Sequence, residues 1–526
     1  ERLTRRKRQP GFPGEAMRWC LERRGVTPRS LECVAVAERA GRAVHRAFDR
    51  RYRQTDPNLS LLRPGNLASM VVQNLVARLP LTAPLDAAAS RWLLSSSLAR
   101  EGVIARPRLV DHHLAHAASA ARGSGLDDAL VLTMDAFGDG WSGGAWLWRG
   151  GRLTTLRRFP FPHSPALLYG LATALLGFCE GDEGKVAGMA ATGHAAATQP
   201  VFEALFSVES GSIRLRRPLE LLRLGGALSG HAPADIAAGV QAAVEEMVCA
   251  LVAHWARETG AANLCLAGGL FANVRLNQRA ARAAAWDDLY VFPHMGDGGL
   301  CAGAALAIAP DAPADGIAAM SVGPTAGPIP VGAISAADAR ATPLDEGAIE
   351  AVARVLARGG TVGIAAGAME FGPRALGNRS ILMPANDPHL ARRMNAALGR
   401  PDVMPLAPVV REGDLARVTG DPPWSALRFM TVTVDALPSV ADRFPVAVHA
   451  DGTMRLQVAT PDDTPLLHAI LSRYNEHLDP AMLINTSFNR HTEPIIGSAR
   501  RALELYEELG LDALVLDGQA LFRSAS

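Results

Sequence analysis

The chain has 526 residues, 48% hydrophobic and 20% charged, which is enough apolar side chain to pack two or three domains and excludes global disorder. Its 53 basic and 52 acidic residues leave a net charge of +1, which excludes a protein built mainly to coat nucleic acid or to lie on anionic membrane. Six scattered cysteines without a CxxC pair exclude a disulfide framework and a cysteine-based zinc site, and fit a reducing cytoplasm.

The opening ERLTRRKRQP is basic and precedes no apolar run of the kind a secretory signal carries. Residues 13 to 100 read mainly as helix, with the clearest spacing over Glu15 to Arg24 and Ala87 to Arg100. At Ala129 the period changes: ALVLTMD reads as a buried strand, followed by GGAWLWRGG and RLTTLRRF as a meander with Gly-Gly turns. Helical text returns over Ala166 to Leu176 and strongly over Ala234 to Glu258. The longest apolar stretch, Ile236 to Val252, carries Gln241, Glu245 and Glu246, so no run reaches the roughly 18–20 residues of a membrane helix. NLCLAGG and LYVFPH read as strands and Gly299 to Ile308 as helix. Residues 309 to 345, rich in Pro, Ala, Gly and Asp, predict the interdomain linker, narrowed to 326–345 between domains at 1–325 and 346–526. Beyond it come a helix at Ala348 to Ala357, strands at TVGIAAG, TVTVDAL and MRLQVAT, helices at Leu466 to Asn475 and Ala499 to Leu509, and a closing strand at LDALVLDG. Alternating strands and helices predict α/β or α+β architecture in both domains, and no repeat of 20–50 residues interrupts it.

Four motifs carry chemistry. In DHHLAHAASA, His112 and His116 stand four apart, on one face of a helix. Such a pair is more often structural or incidental than ligating. Asp135, ending the strand ALVLTMD, and Asp297, in PHMGDGG, raise the metal reading, because carboxylates at strand ends beside glycine turns face ligands in open α/β sheets. Two imidazoles with one or two carboxylates suit Fe(II), Mn(II) or Zn(II). DAFGDG, with Gly138, and AGGLFAN, with Gly268, Gly269 and Asn273, each turn on glycine after a strand, where backbone N–H groups can approach a phosphate. Either alone is an ordinary tight turn; the pair favours an actin-like nucleotide fold. EGDEGKVAGMAATG reads as a solvated loop or as one close to phosphate. It holds Lys185, one of two lysines among the 53 basic residues, so a compact ammonium is retained where arginine is the rule. FGPRALGNRS presents Arg374, DGTMRLQ presents Arg455, and INTSFNRHTEP presents Ser487 and Asn489, a set suited to a small oxyanion or, more blandly, to turn capping.

In this order, from 112 to 494, the motifs resemble those of the NodU/CmcH-type O-carbamoyltransferases. The resemblance implies an N-terminal TsaD-like domain of the actin-like (ASKHA) fold, followed by an α+β YrdC-like domain. It implies that the second domain makes carbamoyl adenylate from ATP, with Mg, and carbamoyl phosphate. The first would then pass the carbamoyl group to a hydroxyl of a small acceptor, an antibiotic, sugar or nodulation-type glycolipid. The metal implied is a divalent ion, Fe(II) first and Mn or Zn after it. Position by position, His112, His116, Asp135 and Asp297 fall on the metal site, and Asp135, Gly138, Lys185, Gly268, Gly269, Asn273 and Asp297 on nucleotide-contacting segments. Arg374, Arg400, Arg455, Ser487 and Asn489 fall on the carbamoyl phosphate pocket, with Arg374, Arg455 and Lys185 implied as catalytic. A membrane partner is not implied, nucleic acid is disfavoured by the charge balance, and a homodimer is left open.

Two departures from the family pattern set further expectations. Family members open with a strand and hairpin that includes a His-Asp pair, whereas this sequence begins at text resembling the end of that piece, so slow transfer is expected from it as given. After Asn395 the family shows a lysine and then an arginine. Here Gly399, or with a one-residue shift Arg400, stands at the first position and Met404 at the second, so weaker binding of the dianion or a different donor is expected. A threonylcarbamoyl-type tRNA-modifying enzyme and a catalytically inactive nucleotide-binding homologue are the competing readings.

Overall fold

The computed structural model describes residues 1–7, 9, 11–38, 64–309, 320–328, 339–400 and 406–523. Met404 and residues 329–338 of the expected linker lie outside the described residues. The chain divides into two compact units, Arg8–Ile317 and a second formed by Ala318–Ser526 together with Glu1–Lys7.

In the unit Arg8–Ile317, β1 (Cys33–Ala37) pairs in parallel with β2 (Arg106–Val110), so the region expected to be mainly helix also contains a strand. The main sheet has five strands in the order β5-β4-β3-β8-β9. Its first part is an antiparallel meander of β3 (Asp128–Gly138), β4 (Trp141–Arg149) and β5 (Arg152–Pro160). Gly150 and Gly151, at φ +57° and +73°, form the two-residue turn between β4 and β5, a left-handed pair that glycine adopts without strain. β8 (Asn263–Ala267) and β9 (Leu289–Val291) then add in parallel to β3. Ala129 through Leu132 are fully buried because helices cover both faces of this central strand, which explains its unbroken apolar run. LYVFPH is a strand only over its first three residues.

Helix Pro233–Thr259 is, among the described residues, the one long and apolar enough to cross a bilayer. It exceeds the apolar run expected, and within its unit Val240, Val244, Val248 and Leu251 are buried, as in a core helix. Residues 195–235, an insert the sequence leaves unread, include short helices and a hairpin of β6 (Phe206–Glu209) and β7 (Ser212–Leu215). The hairpin is tied to the long helix by Trp255 Nε1, which donates to Gly211 O at 3.0 Å. The glycine-rich segment around Lys185 is not a loop: Glu183–Ala190 is helical.

The other unit is built on a mixed eight-stranded sheet, order β10-β19-β18-β11-β12-β17-β13-β16. Its strands are β10 (Ala339–Pro343), β11 (Val362–Ala365), β12 (Arg379–Pro384), β13 (Ala407–Arg411), β16 (Gln457–Ala459), β17 (Leu483–Ser487), β18 (Ala513–Leu516) and β19 (Gln519–Arg523). Helices Glu346–Ala357 and Pro465–Tyr474 cover one face, where Val352, Leu356, Ile364, Leu382, Ile470 and Leu483 form the core. Three strand expectations change. TVTVDAL is extended and paired only at β14 (Val434–Asp435). MRLQVAT is broken at Arg455–Leu456, with β15 (Thr453–Met454) pairing to β14 on one side and β16 joining the large sheet on the other. LDALVLDG is the first arm of a hairpin that Gly518, at φ +76°, turns into β19.

Candidate functional site

The first cluster begins at Asp111, whose carboxylate accepts from Leu114 N at 2.9 Å and so caps helix His112–Gly123. Arg158 donates to both carboxylate oxygens of Asp111, at 3.0 and 2.8 Å, and stacks on Trp141. The cap fixes the first turn, and the i,i+4 spacing aims His112 and His116 at the end of β3. There the pairing of β3 with β4 shifts register between Met134 and Gly138, a bulge that turns Asp135 out of the ladder. Asp135 is further held by Gly269 N–H, which donates to its Oδ1, and by Ser164 Oγ, which donates to its backbone carbonyl at 2.7 Å. Asp297 enters from the turn after β9.

The four residues expected to ligate metal therefore meet. His116 Nε2 lies 2.8 Å and His112 Nε2 3.3 Å from Asp135 Oδ2, and both stand 3.7–3.8 Å from Asp297 Oδ1. All four donor atoms fall within 4.8 Å of one another. The histidines and Asp135 are buried, whereas Asp297 is 75% exposed, so the group opens to solvent on that side. Burial presses His112 toward neutrality, but Asp135, Asp297 and Asp139 outweigh it and push its pKa up to about 10. Burial also opposes the Asp135 carboxylate, and the two imidazoles overcome it, holding it well below the usual range. His113, between them on the same helix, is pushed down to about 3 by burial and by His112, and faces Trp141 O at 3.1 Å. This donor set fits a divalent cation. Two imidazole nitrogens and two carboxylates converge, and His116 Nε2, buried and close to Asp135, has no aligned hydrogen bond.

The glycines beside the cluster give it room. A β-carbon at Gly138 would overlap the His112 ring. Gly138→Ala is therefore expected to cost about 1–3 kcal/mol of stability and to lower metal content together. A wild-type unfolding midpoint with full metal occupancy would show that the ring can move aside. Gly268 has φ +107° and lies against the Met134 backbone, and a β-carbon at Gly269 would come 2.7 Å from Asp135 Oδ1. Asn273 caps helix Val274–Ala281 by accepting from Leu276 N at 3.1 Å, and its amide donates to Gln241 Oε1 at 2.8 Å. Gln241 in turn accepts from the Tyr169 hydroxyl at 2.9 Å. Lys185 pairs locally, 3.1 Å from Asp182 Oδ2, with its ammonium over the Phe178 ring.

The second cluster lies in the unit that contains Ala318–Ser526. It holds Arg374, on the loop before β12, Arg400, after helix Pro388–Ala397, and Arg455, in the break between β15 and β16; the Arg455 charge acts on each of the other two. Burial lowers Arg374 well below its ordinary value and Arg400 and Arg455 to about 10, and the charge of Arg455 adds to the effect on the other two. Arg400 donates to Ser487 O at 2.8 Å, to Ser487 Oγ at 2.9 Å, and to Thr486 Oγ1. Gly399, at φ +68°, is the turn residue after the helix, and Arg400 beside it reaches Thr486 and Ser487. Asn489 donates to Arg490 O and Glu493 O, both at 2.8 Å, and so shapes the following loop. His449 was not singled out by the sequence. Burial and then Arg455 lower its pKa, and its ring lies against Thr453 Oγ1 at 3.2 Å and Leu406 O at 3.3 Å. No periodicity marks it; the Asp111 cap, by contrast, was readable from its position before a helical run.

The carbamoyltransferase N-terminus family model matches residues 1–306, and the carbamoyltransferase C-terminus model matches residues 353–523. Nodulation protein NolNO of Sinorhizobium fredii is 30% identical over 536 residues, covering 98% of this chain and 75% of that protein. Nodulation protein NolO of Bradyrhizobium diazoefficiens is 30% identical over 436 residues, covering 77% of this chain and 78% of its own length. Among solved structures, T. kodakarensis HypF aligns at 18% identity and TM-score 0.27, over 44% of this chain and 39% of that one, a likeness too slight to argue from. On the two family models and relatives of this coverage, the chain belongs to the carbamoyltransferase family and is a carbamoyltransferase.

Proposed function

We infer that this carbamoyltransferase is ATP-dependent and modifies a hydroxyl of a small-molecule acceptor. The observation that carries the reading is the presence of two chemically distinct centres, one in each unit. One is a cluster of three partly buried arginines; the other is a convergent pair of histidines and aspartates. Carbamoyl phosphate is a small dianion. Arg374, Arg400 and Arg455 supply a concentrated positive field for it, with Ser487 Oγ as a nearby polar group. In the reading, water releases inorganic phosphate from the donor, and the carbamate oxygen displaces pyrophosphate from the α-phosphorus of ATP. Arg374 and Arg455 orient and neutralise the donor in that step.

In the other unit, the acceptor hydroxyl attacks the carbamoyl carbon of the adenylate and AMP leaves. His112, His116, Asp135 and Asp297 would hold one divalent cation, which when bound supplies positive charge for the nucleotide phosphate. The turns at Gly138 and Gly269 give room to the His112 ring and the Asp135 carboxylate, which keeps both side chains where the cation would be held. An actin-like reading of this unit is supported by its sheet, in which a parallel pair extends an antiparallel meander and the candidate ligands gather at the carboxyl ends of strands. A YrdC-like reading of the other unit rests on the motif resemblance and its mixed sheet. Six unpaired cysteines accord with a cytoplasmic setting.

Exchange of labelled pyrophosphate into ATP tests the donor half. Label should enter ATP only when carbamoyl phosphate is present. Entry without it, or none with it at saturating concentration, would remove carbamoyl phosphate as the donor. Carbamoylation of tRNA in preference to a panel of sugars and polyketide alcohols would overturn the acceptor class.

A further inference from the structure

The first seven residues pack with the unit that follows them by more than 300 positions. We propose that Arg2 and Arg5 are positioning residues for the donor pocket, strapping together the two loops that flank its arginine cluster. The proposal rests on the reading of that cluster as the carbamoyl phosphate site.

Arg2 Nη2 donates to Gly372 O at 2.6 Å, two residues before Arg374 on the same loop. Its charge faces Glu370, and Glu370 Oε1 accepts three backbone N–H groups of that loop, from Leu376 at 2.8 Å, Asn378 at 2.8 Å and Arg379 at 3.2 Å. Arg2 Nη1 and Glu370 Oε2 are both buried without a hydrogen bond, and the two side chains act on each other through charge. Three residues along the arm, Arg5 Nη1 donates to Ile495 O at 2.6 Å and Nη2 to Pro494 O at 2.9 Å, with Glu493 3.7 Å away. Lys7 Nζ donates to His491 O.

That second loop is in turn fixed to the segment carrying Arg400. His491 N donates to Leu398 O at 2.8 Å, and Arg490 Nη1 to Ala397 O at 3.0 Å. The arm thus spans from the Arg374 loop to the loop that holds the Arg400 turn. Backbone carbonyls offer a guanidinium a directional contact, so two arginines three positions apart set the separation of the loops more rigidly than apolar packing would. A dianion needs its cations at a fixed spacing, and loosening the strap costs donor affinity before anything else.

The test uses the full chain and the exchange assay. Arg2→Ala combined with Arg5→Ala should raise the carbamoyl phosphate KM about tenfold, with kcat and the ATP KM changed by less than about twofold. Arg2→Lys, which keeps a donor for Gly372 O, should restore most of the loss due to Arg2→Ala. Amide hydrogen exchange should quicken at residues 371–378 and 489–494 and stay unchanged in the remaining strands. An unchanged carbamoyl phosphate KM overturns the proposal. So does a uniform fall in kcat, ATP affinity and unfolding midpoint, which would mark a purely structural role. Arg455→Ala run in parallel separates the two claims: if it raises the KM and the arm variant does not, the strap fails alone. If neither does, the donor reading fails and takes the strap with it.

Discussion

His116→Ala should lower the metal content of the protein and abolish carbamoyl transfer while leaving carbamoyl phosphate-dependent ATP–pyrophosphate exchange at the wild-type rate. The expectation follows from where the residue sits. His116 is 1% exposed, and its Nε2 lies 2.8 Å from Asp135 and 3.8 Å from Asp297. Losing a group that merely orients a ligand costs 10–100-fold in metal affinity, so losing the ligand itself should cost at least about a hundredfold. The helix should survive, because its cap is Asp111 and its packing residues are Ala115, Ala117, Ala118 and Ala120. Metal analysis of the purified proteins, with the two half-reactions assayed separately, checks it. Equal metal content in wild type and variant sinks the assignment. A parallel loss of exchange would show that the donor half depends on this cluster.

Arg455→Ala weakens carbamoyl phosphate binding by about ten- to a hundredfold, the effect of losing a charge-assisted contact of about 1.5–3 kcal/mol. The free protein should not lose stability in proportion. Arg374, Arg400 and Arg455 are held together against burial and mutual repulsion, so removing one cation relieves the others. A pocket strained without its ligand and relaxed with it is the pattern of a site that trades stability for function. Calorimetric titration with carbamoyl phosphate and a thermal melt of the free variant measure both sides. An unchanged affinity moves the donor pocket elsewhere. A large fall in melting temperature would make Arg455 a structural residue of the β15–β16 break.

The two clusters were not equally legible. The metal quartet could be assembled from local pattern alone. Four-residue spacing sets two imidazoles on one helix face, and a carboxylate at the end of an apolar strand, or in a glycine turn, has few places to point. The arginine cluster could not be assembled that way, since arginine is abundant in this chain and nothing in a loop's spacing says where a guanidinium will end. Its members were found by resemblance. At the helix end Gly399 takes the left-handed conformation and the next residue, Arg400, reaches Ser487, an arrangement that no spacing in the sequence announces. Similarly, Asn273 read as a ligand contact, and the fold puts its side chain to capping a helix and holding Gln241.

By itself the sequence determined the alternation of buried strands and amphipathic helices, the strands ALVLTMD and NLCLAGG, and the histidine-aspartate group, because each depends on periodicity or on a short turn. Only the tertiary structure decided the rest. It broke MRLQVAT at Arg455, reduced TVTVDAL to a two-residue pairing, made a helix of the Lys185 segment and set the first seven residues on the distant unit. Those outcomes hang on contacts such as Arg2 with Gly372, 370 positions apart, and the free energy of such a contact leaves no trace in the spacing of neighbouring residues.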